Sequence, residues 1–251
     1  MSRLTFTPGN HAYYLADPDT GKKQRVTSVT TLLNLLAKPA LVKWAARSAA
    51  DYAVNEWDHL AALPLMERQK AIASAPDLAK NTAAAKGTAI HDLAERMVAG
   101  ESVEVADELL PKVQGLARWL ERQTFKVVAT ERMVFSDEDD ELGLCSFAGK
   151  FDALADCPRR GLGLLDWKTG SGVYDDMAVQ LAGYRAADFH VIDDTDQPKP
   201  QIRWAGVVHI RADGSDLHTV PAADLAIAHT RFELLRALKY VPFPSFQQEA
   251  S

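Results

Sequence analysis

The sequence predicts an α/β protein in which helices come first and most of the sheet comes later. Up to about residue 123, alanine is abundant and apolar residues recur with helical spacing. From Phe125 onward the chain changes to short alternating segments that are rich in valine and aromatic residues, which is typical of strands. Of the 251 residues, 47% are hydrophobic and 25% are charged, and this ordinary globular composition excludes collagen-like, disordered and disulfide-scaffold proteins.

The first half is predicted to begin with a β-hairpin and to continue as helices. Within residues 1–27 the segments YYLA and KQRVTS flank the turn signal DPDTG. Ser28 or Thr30 is expected to cap the next helix, which Lys38-Pro39 would end. Helices are predicted over residues 28–36, 41–60, 65–75, 82–99 and 106–123.

The second half is predicted to hold strands with helices between them. The acidic run SDEDDE, residues 136–141, is expected to form the solvated turn between the first two strands. Because no linker rich in proline or glycine divides the two halves, the helical half is expected to pack on the sheet. Strands are predicted over residues 125–135, 145–155, 162–168 and 201–211, and helices over 174–190 and 222–240.

Charge is unevenly distributed along the chain. The formal net charge of −6, from 28 basic and 34 acidic residues, argues against non-specific coating of nucleic acid. Residues 21–50 nevertheless contain six basic residues and no acidic one. Such a segment is usually plain solvated surface unless other residues point to a phosphate ligand. The basic residues are Lys22, Lys23, Arg25, Lys38, Lys43 and Arg47.

Cysteine content and hydropathy exclude several further classes. Cys145 and Cys157 are the only cysteines, so a disulfide framework, a paired CxxC zinc site and a four-thiolate iron–sulfur cluster are not expected. No apolar run of about 18 residues is present, and the N-terminus lacks the apolar centre of a signal peptide. We therefore expect a soluble, cytoplasmic protein without a membrane partner.

Two neighbouring predicted strands carry acidic residues that suggest a metal site. Asp166 and Lys168 are two residues apart, so they point to the same face of their strand. Alone, this pattern is more typical of a surface ion pair. Asp152 lies on the preceding strand, where a hairpin would place it beside Asp166. Two adjacent carboxylates repel unless a cation lies between them, and oxygen ligands favour Mg²⁺ or Mn²⁺.

Two helices add polar residues to this pattern. Gln180 and Tyr184 lie one turn apart on the same helix face. His91 lies at the edge of the apolar arc of the helix predicted over 82–99, and Glu95 follows one turn later. A single histidine at such an edge is usually a core or boundary residue.

Taken in order, these segments resemble the PD-(D/E)XK nuclease superfamily, and within it the RecB-like and phage exonuclease branch. The four motifs are G-T-x-x-H, G-x-x-D, D-x-K-T-G and Q-x-x-x-Y. Each motif is short, but all four occur in the right order over residues 80–210, about half of the chain. They read GTAIH (87–91), GKFD (149–152), DWKTG (166–170) and QLAGY (180–184).

The resemblance implies a role for each matched residue. Mg²⁺ or Mn²⁺ would be held by His91, Asp152, Asp166 and the backbone carbonyl of Trp167, which are expected to converge on one point. Lys168 would be the catalytic lysine beside the two aspartates. Gln180 and Tyr184 would complete the catalytic set by holding the DNA backbone and the lysine, and Glu95 and Glu131 would be acids just outside the metal ligands.

The resemblance also implies a fold and a division of the chain. The expected core is a small mixed β-sheet flanked by helices, as in restriction endonucleases, with an N-terminal helical elaboration. Residues 1–80 would form the hairpin and the elaboration, and residues 81–251 the nuclease core with its C-terminal helix, together one compact unit. Lys38, Lys43 and Arg47 would then line the path of DNA.

The implied function is metal-dependent hydrolysis of DNA phosphodiester bonds, as an exonuclease in recombination, repair or phage DNA processing. DNA would be the partner, single- or double-stranded, together with a recombinase, an annealing protein or a helicase. The chain carries no helicase motif, so any unwinding of DNA would need another protein. Two alternatives stay open. One is a restriction- or repair-type endonuclease with the same site, and the other is a non-catalytic DNA-binding protein on a nuclease fold.

Overall fold

A computed structural model, which describes residues 1–242, shows a mixed α/β protein. The described part holds seven α-helices and one sheet of ten strands, so the sheet is much larger than the small sheet expected. The strands are β1 Leu4–Thr7, β2 Ala12–Ala16, β3 Lys23–Ser28, β4 Lys126–Ser136, β5 Phe147–Cys157, β6 Gly161–Lys168, β7 Phe189–Ile192, β8 Thr195–Pro198, β9 Trp204–Arg211 and β10 Gly214–Thr219. The helices are α1 Val29–Leu33, α2 Pro39–Asn55, α3 Trp57–Ala62, α4 Leu65–Val98, α5 Leu110–Leu120, α6 Asp175–Ala186 and α7 Ala222–Tyr240.

Strand β5 is the centre of the sheet because three other strands pair with it. It pairs along its length with antiparallel β4, and β7 and β8 continue the sheet beyond β4. On its other side β5 pairs at one end with parallel β3, which continues into β2 and β1. At its other end it pairs with antiparallel β6, which continues into parallel β9 and then β10.

Between these two pairings the sheet is split. The β3 pairing ends at Ala148 and the β6 pairing begins at Ala153, so residues 149–152 of β5 have no strand partner on that side. Because β3 is parallel and β6 antiparallel to β5, the C-terminal ends of β3 and β6 approach each other along β5. The gap between them is where polar side chains gather.

Two apolar clusters hold helices on opposite faces of the sheet. The first core lies under α1, α6 and α7 and includes Leu164, Val207 and Phe232. The second core lies under α4 and α5 and includes Leu165 and Trp167. Leu164 and Leu165 are consecutive and point to opposite faces of the sheet, as neighbouring residues of a regular strand do. Both faces of β6 are therefore buried, as the apolar run GLGLL suggests.

Several predicted elements are confirmed with small changes of boundary. Ser28 caps α1 as expected, because its hydroxyl oxygen accepts a hydrogen bond from the backbone N–H of Thr31 at 3.0 Å. The final helix occupies Ala222–Tyr240 as predicted. The acidic run begins at Ser136, the last residue of β4, and continues through the β4–β5 connection, where Asp139 and Leu144 form a short bridge. Residues 243–251, at the end of the expected core, lie outside the described residues.

The helices predicted over 65–75 and 82–99 are one continuous helix, α4, with Pro76 inside it. A proline predicts a helix boundary because it lacks an N–H donor and crowds the preceding turn, but here the helix continues through it. Gly87 of the GTAIH motif consequently lies deep in the interior of α4. The helix also runs without a break through residues 80 and 81, where the two parts of the chain were expected to meet.

Four strands were not predicted, namely β1, β7, β8 and β10. Strand β7 replaces the end of the helix predicted over 174–190, because α6 ends at Ala186. Strands β8, TDQP, and β10, GSDLHT, lack apolar alternation. Strands at the margin of a sheet bury little surface, so backbone pairing rather than hydropathy defines them.

Residues 39–86, which comprise α2, α3 and the first part of α4, form a segment that we term the helical arm. Its large apolar side chains include Trp44 and Trp57, which are 41% and 59% exposed. Both tryptophans are more exposed than a core position allows, whereas Trp119 on α5 is buried. Within residues 1–242 no helix is both long enough and apolar enough to cross a membrane.

Candidate metal centre

The candidate site lies at the split in the sheet, on residues 149–152 of β5. Asp152 is buried there, and its Oδ2 accepts a hydrogen bond from the backbone N–H of Trp167 at 2.6 Å. The last backbone pair between the two strands is Ala153 with Leu165. Beyond that pair, the Asp152 carboxylate ties β5 to the end of β6. The Trp167 indole lies in the second core and anchors this strand end.

Helix α4 brings His91 to the same point. Its neighbours Ile90, Leu93 and Ala94 are buried in the second core, so the position of the helix on the sheet is fixed by packing. His91 then directs its Nδ1 towards Asp152 Oδ1, 3.4 Å away. Burial by itself lowers the pKa of His91, but the hydrogen bond and charge of Asp152 outweigh it and leave the pKa raised.

Glu131 on β4 is the third member of this group. One ligand atom each from His91, Glu131 and Asp152 can be chosen so that all lie within 4.8 Å of one another. The resemblance implies a position for Glu131 just outside the expected ligands, whereas the structure brings its carboxylate into one compact group with His91 and Asp152. Burial raises the pKa of Glu131, opposed by Lys150, and the ammonium of Lys150 is ion-paired to that carboxylate.

An irregular backbone explains why Glu131 was not expected there. Its φ is +51°, a left-handed conformation that is uncommon for a residue other than glycine. On the neighbouring strand Phe151 lies in the first core but Ala153 in the second, whereas a regular strand would put both on one face. In both strands, the alternation of side chains between the two faces of the sheet therefore reverses at the level of Glu131 and Asp152. Such a reversal cannot be predicted from the spacing of apolar residues in the sequence.

Asp166 lies beside this group but outside it. It is 2% exposed, and its carboxylate is ion-paired to Lys168. Burial raises the pKa of Asp166 to about 6; the charge of Lys168 opposes the rise, and that of Asp152 adds to it. Burial lowers the pKa of Lys168, but Asp166 and Asp152 outweigh it, so the pKa is raised and the lysine is cationic.

The expected convergence of His91, Asp152 and Asp166 is therefore met in part. His91 and Asp152 are in contact, and Glu131 rather than Asp166 completes the compact group among the described residues. The physical reason is charge pairing, since a buried carboxylate needs a nearby cation. Each acid of the site has one: Asp152 faces His91, Glu131 faces Lys150 and Asp166 faces Lys168.

Gln180 and Tyr184 lie against the same part of β5. The amide of Gln180 donates a hydrogen bond to the Tyr184 hydroxyl at 3.0 Å. A Cβ added to Gly149 would approach the Tyr184 ring to 2.7 Å, so the glycine of the GKFD motif makes room for the tyrosine of the QLAGY motif. Burial, with the charge of Asp166 next, raises the pKa of Tyr184 well above its usual value, and the phenol is neutral.

The GTAIH and DWKTG motifs also meet. A Cβ on Gly87 would lie 3.4 Å from the Thr169 hydroxyl. The loop after Lys168 is held by two residues that the motifs do not include. Lys112 donates to the Thr169 carbonyl at 2.9 Å, and the His209 ring bonds the Gly170 carbonyl at 2.9 Å. Neither has a spacing that identifies it in the sequence.

The remaining predicted residues lie around this centre. The Thr130 hydroxyl donates to Glu95 at 3.4 Å, next to Glu131 on β4. Lys38, immediately before the helical arm, is ion-paired with Asp176 at 3.1 Å, and the charge of Asp176 contributes to the raised pKa of Lys168. Lys43 and Arg47 are exposed on α2. The beginning of the arm therefore lies at the edge of the site.

The donor set suits a divalent cation. An imidazole nitrogen and two carboxylates in one compact group, with a third carboxylate beside them, combine the hard oxygen donors that Mg²⁺ and Mn²⁺ prefer with a nitrogen that Mn²⁺ accepts. Neither a scan against protein-family models nor a search of curated proteins gives a match to this chain. The proposal for its function therefore depends on the site and on the order of the motifs.

Proposed function

We propose that this protein is a divalent-metal-dependent nuclease that hydrolyses DNA phosphodiester bonds. The observation that carries the proposal is the meeting of four separate motifs at one split in the sheet. His91, Asp152 and Asp166–Lys168 come from a helix and two strands, and they assemble an imidazole, carboxylates and a lysine around one point. A surface ion pair, the alternative for Asp166 and Lys168, would not need a buried carboxylate.

His91, Asp152 and Glu131 are the residues that would hold the metal, with Asp166 and the backbone carbonyl of Trp167 as further donors. Mg²⁺ or Mn²⁺ bound there would lower the pKa of a bound water and would supply positive charge for the phosphate oxygens. No iron–sulfur cluster is part of the proposal.

The protein's own residues supply the rest of the chemistry. Lys168 is a fixed cation beside Asp166 and Asp152, where it would orient the attacking water and offset charge on the scissile phosphate. Asp166 keeps that ammonium in place through their ion pair. Gln180 and the neutral Tyr184 are bonded to each other near the two aspartates, and their hydrogen-bond donors would hold a phosphate oxygen without adding negative charge.

DNA as the substrate is inferred from the resemblance of the motif set to RecB-like and phage exonucleases. The same resemblance favours an exonuclease of recombination, repair or phage DNA processing, working with a recombinase, an annealing protein or a helicase. The position of Lys38 at the edge of the site is consistent with a DNA path along the arm. An endonuclease with the same site would cut circular DNA, which has no ends.

The test is digestion of linear, circular, single-stranded and double-stranded DNA with Mg²⁺ or Mn²⁺. We expect cleavage of linear DNA that requires the metal and is lost in Asp152→Asn. Asp156→Asn is the matched control, because Asp156 is an exposed aspartate four residues further along the same strand. Metal-dependent binding without cleavage of any of these DNAs would support the non-catalytic alternative and contradict this proposal.

A further inference from the structure

We propose that Lys150 exchanges partners during the reaction: it neutralises Glu131 in the metal-free site and binds a substrate phosphate once the metal has taken that carboxylate. The inference rests on the proposed function and adds a DNA-binding residue that none of the four motifs marks. Lys150 is an unassigned position, x, of the G-x-x-D motif.

The first step of the argument is the competition for Glu131. Its carboxylate belongs to the compact group with His91 and Asp152 and is also ion-paired with the Lys150 ammonium. A divalent cation held by that group would be a second positive charge on the same carboxylate. Like charges this close repel strongly, so binding of the metal favours departure of the lysine.

The second step is that Lys150 is the most exposed of the three paired cations of the site and therefore the one that leaves most easily. Its side chain is 40% exposed, against 22% for Lys168 and 28% for His91. A lysine has a flexible stem and a strongly hydrated head, so an exposed one can swing outward at small cost. Lys168 is held between buried acids, and its pKa is raised by them.

The third step is where the freed ammonium would go. Lys150 lies in residues 149–152, the part of β5 that has no strand partner on the side of the split. The split is the opening at which Asp152, His91 and Lys168 meet, so a DNA strand placed for cleavage passes over it. Its phosphates would offer the freed ammonium a new anionic partner at this opening.

The proposal predicts effects of opposite sign in two binding assays on Lys150→Met. In Mn²⁺ titration calorimetry without DNA, the variant should bind the metal about two- to fivefold more tightly, the range expected for loss of one partly exposed ion pair. In fluorescence anisotropy with a labelled oligothymidylate and Ca²⁺, DNA affinity should fall, and the log–log salt slope should decrease by about 0.7.

Two variants serve as controls. Lys150→Arg keeps the charge and should restore DNA binding. Lys126→Met removes an exposed lysine at the far end of β4, opposite Asp156, and should change neither measurement. A Lys150 that only stabilises the fold would lower both affinities in Lys150→Met, and that result would overturn the proposal.

An unchanged Mn²⁺ affinity or an unchanged salt slope in Lys150→Met would also overturn it. The Mn²⁺ measurement requires no cleavage, so the two proposals fail in different ways. If Lys150→Met binds Mn²⁺ more tightly but the wild-type protein cuts no DNA, the nuclease proposal is contradicted. If the wild-type protein cuts DNA but Lys150→Met leaves the Mn²⁺ affinity and the salt slope unchanged, the exchange of partners is contradicted.

Discussion

The sheet around the site and the helical arm, residues 39–86, are built in different ways. In β9 every residue except Arg211 is buried, and in β5 only Lys150 and Asp156 are exposed. In α2, by contrast, no residue is buried, and the part of α4 that belongs to the arm buries only Ala75. Large apolar side chains such as Val42 and Trp57 are exposed there.

This difference shows which forces hold each region. The sheet is stabilised by apolar burial on both faces, which is the main favourable contribution to folding. The arm depends on helix-forming alanines and on local contacts between α2 and α4, and isolated helices of this kind are only marginally stable. Rigid burial surrounds the candidate metal centre, whereas the arm adjoins that centre through two residues that flank it, Lys38 before it and His91 after it.

The largest expected effect compares one aromatic residue from each region. Phe232 is fully buried, and its ring packs against Phe147 at 5.0 Å between centroids. We expect Phe232→Ala to lower the free energy of unfolding by about 3–5 kcal/mol. Trp57→Ala in the arm should change it by less than about 0.5 kcal/mol. Urea unfolding monitored by circular dichroism measures both, and equal losses would contradict the contrast.

The second prediction separates metal binding from catalysis within the rigid region. Lys168→Ala removes no metal ligand, so Mn²⁺ affinity should persist or increase slightly, while the cleavage rate should fall by about 10²–10³. In Asp152→Asn, affinity and rate should fall together. Calorimetric titration beside a nuclease assay tests this, with Lys126→Ala as a control. Cleavage by Lys168→Ala near the wild-type rate would make Lys168 a simple ion-pair partner.

The third prediction uses a buried histidine of the sheet. His190 is fully buried, neither ring nitrogen has a hydrogen-bond partner within residues 1–242, and burial, followed by the charge of Arg132, lowers its pKa to about 4. Its pKa is about 6.5 in the unfolded chain, so the folded protein binds fewer protons. Through His190, the free energy of unfolding is therefore highest above pH 6.5. It decreases as the pH falls towards 4, by about 3 kcal/mol at most.

Asp166 has the opposite effect, because its folded pKa of about 6 lies above its unfolded value and favours folding as the pH falls. The variant His190→Phe isolates the histidine, since the new ring can still pack on Phe151. We expect the loss of stability between pH 7 and pH 4.5 in urea unfolding to be smaller in His190→Phe than in the wild type. Identical losses would show that His190 is not the titrating group.

The smallest effect concerns the arm. If Lys43 and Arg47 contact DNA, the double alanine variant should lower the salt slope of binding by about 0.7–0.9 per lost contact. Adding Lys38→Ala to this variant should give only a small further decrease in the slope, because Lys38 is already paired with Asp176. The slope is measured by anisotropy at several salt concentrations. An unchanged slope would return these residues to plain solvated surface and make the arm a structural appendage.

The sequence pattern predicted the elements that are stabilised by local hydrogen bonds or by strongly apolar surfaces. The Ser28 cap, the helix 222–240 and the three strands that cross the core follow from hydrogen bonding and periodicity over a few residues. It missed β8 and β10, which are polar and depend on a neighbouring strand. It also divided α4 at Pro76, because packing on the sheet and on α2 can maintain a helix that a local rule would end.

For the site, the sequence by itself determined which residue types are present and in what order, because the four motifs are fixed by spacing along the chain. Only the tertiary structure decided which side chains meet. Glu131 joins His91 and Asp152 because its backbone adopts a left-handed conformation, and Lys150 faces Glu131 because β4 and β5 pair in one particular register. Strand register and the reversal of side-chain alternation are set by contacts between segments that are distant in the chain. They therefore cannot be predicted from hydropathy along the chain.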